Sequence, residues 1–85
     1  MNLDELIIEG EHLKEYAEPD SMMGAIIPLD ELEKWMTKVI FYANANLEDQ
    51  FLFQKIQENA KGLTTNGYKK FLSTLGILKG IKESL

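Results

Sequence analysis

Apolar residues recur at intervals of three and four in four stretches of the chain, and each stretch has its own polar complement. In the first, Leu3, Leu6, Ile7, Gly10, Leu13 and Ala17 keep helical spacing while Asp4, Glu5, Glu9, Glu11 and Glu15 fill most other positions. Asn2 is a good N-cap with Glu5 three residues on, and Pro19 forces Glu18 out of the helical region. Gly10 costs about 1 kcal/mol relative to Ala inside a helix, so a close approach by another helix is its expected justification. The second stretch begins near Asp30, with Glu33 at capping-box spacing, and reads Leu32, Trp35, Met36, Val39, Tyr42 and Ala43. Ile40 and Phe41 fall off that stripe, which widens the apolar arc and predicts burial on two sides.

The third stretch takes Asn46 as its expected cap, presents Leu52, Phe53, Ile56 and Ala60, and ends at Gly62. Phe51 sits at the edge of its stripe. The fourth carries Phe71, Leu72, Leu75, Leu78, Ile81 and Leu85, with Gly76 and Gly80 four apart. Those two glycines read as a groove for tight helix packing, and the helix is expected to run to Leu85. The predicted fold is all-α: a compact single-domain bundle of four helices at about 2–17, 30–45, 47–60 and 67–84. The linker Glu18–Pro28 is apolar for a loop, with Met22, Met23, Ile26 and Ile27. It is expected to close one end of the core; the alternative is an exposed Met-rich patch for a partner.

Composition narrows the chemistry. The 85 residues hold no Cys, no Arg and a single His, His12, which removes most of the usual nucleophiles, metal ligands and phosphate clamps. Glu9-x-x-His12 matches the pair that seats metals in di-iron bundles, but those need a second such pair and further Glu residues. Glu11 and Glu15 lack a pocket that would separate their proton affinities. Ser21, Ser73 and Ser84 lack a placed base, and no Gly-rich phosphate loop occurs. No catalytic residue, metal or cofactor is therefore expected. The acidic N-terminus is not a signal peptide, and no run reaches the ~18–20 apolar residues a membrane span needs. With Cys absent as well, the chain is expected to be cytoplasmic.

Charge is unevenly divided. Residues 1–33 sum to −9 and residues 34–85 to +4, within a net charge of −5. The expected consequence is that the halves fold against and attract each other; the alternative is an acidic face presented to a basic partner. Nucleic acid is disfavoured, because the basic half is modest and lacks Arg forks. Four short helices need most of the aromatic side chains for their core, yet Phe41 and Phe51 are expected to be semi-exposed.

Three segments carry a family resemblance. They are Leu6-Ile7-Ile8-Glu9-Gly10-Glu11, Leu32-Glu33-Lys34-Trp35 and Leu75-Gly76-Ile77-Leu78-Lys79-Gly80-Ile81. Together they resemble the N-terminal helical module of uncharacterised bacterial proteins, some of them associated with phage defence. The resemblance spans nearly the whole chain and implies a helical adaptor or oligomerisation module, bacterial or phage-borne, that leads into a second domain absent here. Some related helical defence domains are ribonucleases with an Arg-x4-6-His motif, which a chain without Arg does not match. The expected role is a non-enzymatic protein–protein interaction or oligomerisation module, with a homodimer as one form. Its expected contact residues are Met22, Met23, Ile26, Phe41, Phe51, Gly76 and Gly80. The second expectation is a small acidic immunity or antitoxin-like inhibitor of a basic protein.

Overall fold

A computed structural model describes residues 2–16, 28–62 and 67–85 of the chain. They form four helices: α1 (Leu3–Tyr16), α2 (Leu29–Asn46), α3 (Gln50–Ala60) and α4 (Tyr68–Glu83). The helices close a ring in which α1 and α3 each pack on both α2 and α4. Asp4 lies beside Lys82 and Gly10 beside Leu75, so α1 runs antiparallel to α4. Asn59 lies beside Thr74, and Lys70 bonds the carbonyl of Lys61, so α3 is antiparallel to α4 as well. The four-helix bundle read from periodicity is the fold.

Local chemistry sets the helix ends. Asn2 Oδ1 accepts the Glu5 N–H at 2.8 Å, the cap expected for α1. The later starts differ from expectation. α2 begins at Leu29 after Pro28, without a side-chain cap, which leaves Asp30 and Glu31 in its positive first turn. α3 is capped by Asp49 instead of Asn46: Asp49 Oδ1 accepts the N–H groups of Phe51 (2.9 Å) and Leu52 (3.2 Å). The reason is that α2 runs longer than its pattern suggested. Leu47 N–H still bonds Ala43 C=O, and Asn46 Nδ2 turns back to donate to Tyr42 C=O. Gly62 terminates α3 in the left-handed region, at φ 64°, as its position predicted. α4 stops at Glu83: the Ser84 N–H is shared between the carbonyls of Gly80 and Ile81, and Ser84 Oγ–H donates to Gly80 C=O.

The core is centred on Trp35, with Leu6, Leu32, Met36, Val39, Ile56, Phe71, Leu75 and Leu78 around it. Phe71 meets the Trp35 ring edge-on, with centroids 5.1 Å apart. The indole Nε1–H donates to the Leu6 carbonyl at 2.9 Å, so the only polar atom of the largest core side chain is satisfied. α1 approaches closely because Gly10 has no side chain. A Cβ there would stand 2.7 Å from Leu75 Cδ1 and 3.0 Å from Trp35 Cζ2. Ile40 is partly buried while Phe41 is not, so the wide arc of α2 serves the core on one flank only.

Candidate functional site

The residues left over by the core define the surface available for function. Gly76 and Gly80, read from their spacing as a groove for tight helix packing and as contact residues for a partner, are both exposed, with nothing within 4 Å of where a Cβ would be. The reason is phase. Phe71, Thr74, Leu75 and Leu78 turn inward, and at 100° per residue Gly76 and Gly80 fall opposite them. Gly80 instead lines a groove of about 370 Å³ between the last turns of α4 and the start of α3. Its apolar lining is Leu47, Leu52, Ile77, Ile81 and Leu85, and its polar lining is Glu48, Asp49 and Ser84. Asp49 is occupied as the α3 cap and Ser84 with the Gly80 carbonyl, so the groove contains a hydrophobic trough and a carboxylate, Glu48, that is in no ion pair among the described residues.

Phe51 and Phe41 are exposed further than expected, at 73% and 70%. Phe51 stands in the first turn of α3, next to the groove residue Leu52. Phe41 lies on the opposite side of α2 from its core stripe, over a separate depression with Lys38, Tyr42, Ala45 and Asn46. Gly76 does not line the groove, and Met22, Met23 and Ile26 lie outside the described residues. Of the expected contact residues among the described ones, Gly80 lines the groove and Phe51 precedes its lining residue Leu52 in the chain. Sequence reading placed Leu52 and Ile81 on the apolar stripes of their helices, and Ile81 does pack against the core; the groove that the two share with Ile77 went unnoticed. Ile8, 55% exposed on the outer face of α1, was also missed.

Elsewhere the charged groups compensate one another. Glu9 bonds Lys38 through both carboxylate oxygens (3.2 and 3.3 Å), while Glu11 pairs with Lys79 and Asp4 with Lys82. The acidic first helix thus meets lysines of α2 and α4, and the two halves of the chain do attract each other. Lys79 holds the Glu11 carboxyl below its ordinary range through their hydrogen bond, against the opposing effect of burial. His12 is exposed beside Glu9 and Glu31 in a cleft between α1 and α2. Among the described residues no three His, Asp or Glu side chains gather to hold a metal ion, and no helix is long and apolar enough to cross a membrane.

No family model, curated protein or solved structure matches this chain. Its own surface is the guide to its role.

Proposed function

We propose that the chain is a protein–protein interaction or oligomerisation module without catalytic chemistry of its own, cytoplasmic and bacterial or phage-borne. The observation that carries this reading is the open apolar groove at Gly80 beside the exposed Phe51. Large apolar side chains and an unfilled trough gain nothing in the isolated bundle, whereas association removes both from water. Size exclusion coupled to light scattering, run across protein concentration at low and high salt, tests it. A salt-tolerant dimer or larger species is the expected result, because apolar contacts are not screened.

The second reading is an acidic inhibitor of a basic protein, favoured by the −9 charge of residues 1–33. Its weakness is that Asp4, Glu9 and Glu11 are already engaged by lysines of the same chain. Association that collapses steeply with added salt would move the balance to this reading.

A further inference from the structure

The groove specifies what would fill it. Leu47, Leu52, Ile77 and Ile81 are its walls, and Gly80 leaves the α4 backbone open to an incoming ring. At its lip Glu48 is exposed and, among the described residues, in no ion pair. The nearby lysines of α4 are turned elsewhere, Lys79 to Glu11 and Lys82 to Asp4. The carbonyl end of α4 adds partial negative charge. A large apolar side chain with a cation about one turn away is the matching ligand.

The chain itself carries such a pair. Phe51 and Lys55 are four apart on α3 and therefore share a face. Leu52 and Asn59 turn toward α4, where Leu52 lines the groove and Asn59 bonds Ser73 and Thr74. Around the α3 axis, Lys55 falls between that direction and Phe51, which puts the pair on the shoulder beside the groove. Lys55 is exposed and, among the described residues, in no ion pair. A knob and a hole side by side on one surface meet the condition for an isologous contact, because a two-fold axis brings each knob to the other hole.

We propose that two copies of this chain pair about such an axis, with Phe51 of each copy in the groove of the other and Lys55 of each against Glu48 of the other. This rests on the association module proposed above and names its partner as a second copy. At net charge −5 the copies repel at long range. The two Lys55–Glu48 contacts then set register at close range, while burial of Phe51 supplies most of the affinity.

Sedimentation equilibrium on the full chain, up to about 1 mM, tests the pairing with four variants. Phe51→Ala removes two central rings per dimer and is expected to weaken it roughly a hundredfold or more. Lys55→Glu and Glu48→Lys each set like charges together and are expected to cost about tenfold; combining them restores the opposite pairing and most of the affinity. All three positions are exposed and outside the core, and circular dichroism checks that each variant stays folded. A dimer indifferent to Phe51→Ala overturns this interface while leaving the association module standing. Single charge reversals that weaken the dimer without rescue in the double variant overturn the Lys55–Glu48 register. A monomer at about 1 mM overturns the second copy as occupant, and the proposed function then needs a foreign partner.

Discussion

Gly10 and Gly80 put the same residue to opposite uses on the two sides of α4. Where α1 crosses α4, Gly10 is buried, and its missing side chain is replaced by Leu75 and the Trp35 ring. Where α3 meets the end of α4, Gly80 is open and the walls beside it, Leu52, Ile77 and Ile81, stop short of filling the space. In the first region the Trp35 and Leu75 side chains around Gly10 are fully buried, so substitutions there should appear in stability. The second leaves part of its apolar surface uncovered, although Ile77 and Ile81 also pack against the core, so substitutions on the open side should appear in the proposed association. This contrast separates what makes the bundle stand from what the proposed association would use.

The strongest way to break the comparison is through Trp35. Trp35→Ala should cost about 3–5 kcal/mol, since it empties the centre of the core and strips the Leu6 carbonyl of its indole donor. At about 0.05–0.15 kcal/mol per residue the whole chain is worth about 4–13 kcal/mol, so the variant should lose between about a quarter of its stability and all of it. Urea denaturation followed by circular dichroism measures it, and a loss below about 1 kcal/mol would mean the core is not centred on this ring.

Gly10→Ala comes next. Crowding against Leu75 and Trp35 costs about 1–3 kcal/mol, against roughly 1 kcal/mol regained in helix propensity, which leaves a net loss. Gly76→Ala and Gly80→Ala meet no neighbour within 4 Å and gain propensity alone, about 0.5–1 kcal/mol each. For a chain of this size the shifts amount to about 4–8 °C in Tm per kcal/mol. Opposite signs at the buried and the open glycines are the prediction; equal signs would erase the distinction between the two regions.

Much of this was readable beforehand, and the failures have physical causes. The Asn2 cap, the close approach at Gly10 and the stop at Gly62 follow from rules of local geometry that hold in any context. The spacing of Gly76 and Gly80 suggested a packing groove, but which side of α4 they occupy follows from their phase rather than their spacing. Each is offset from the Phe71–Leu75–Leu78 stripe, which is enough to place it on the far side. Asn59 shows the opposite limit. It lies three residues after Ile56, in register with the core, but its type suggests solvent. Only the partner helix reveals why it is buried: its Nδ2 donates to Ser73 Oγ and Thr74 Oγ1, both at 3.1 Å. Asp49 and Asn46 are equally good caps by composition, and the choice between them depended on how far α2 continued. The groove was the least legible feature, since it is a property of where two helices diverge and no single stretch encodes it.

The smallest expected effect concerns charge at the tight region's edge. Lys79 holds the folded-state carboxyl of Glu11 below its ordinary value of 4.5. A depressed folded value means the unfolded chain takes up the proton first as pH falls. The contribution is therefore complete above about 4.5 and declines as pH drops through the lower folded value. Glu11 is 38% exposed, so screening should keep the effect below about 1 kcal/mol. Lys79→Met should lower Tm by a few degrees near pH 6, and the difference from the parent chain should close as pH falls through the lowered folded value of Glu11. A gap that persisted in acid would mean that the lysine stem, rather than its charge, supports the α1–α4 contact. Added salt should shrink the same gap, while leaving the affinity that Phe51 gives the groove largely intact. That difference in salt response would extend the contrast between the two regions from packing to electrostatics.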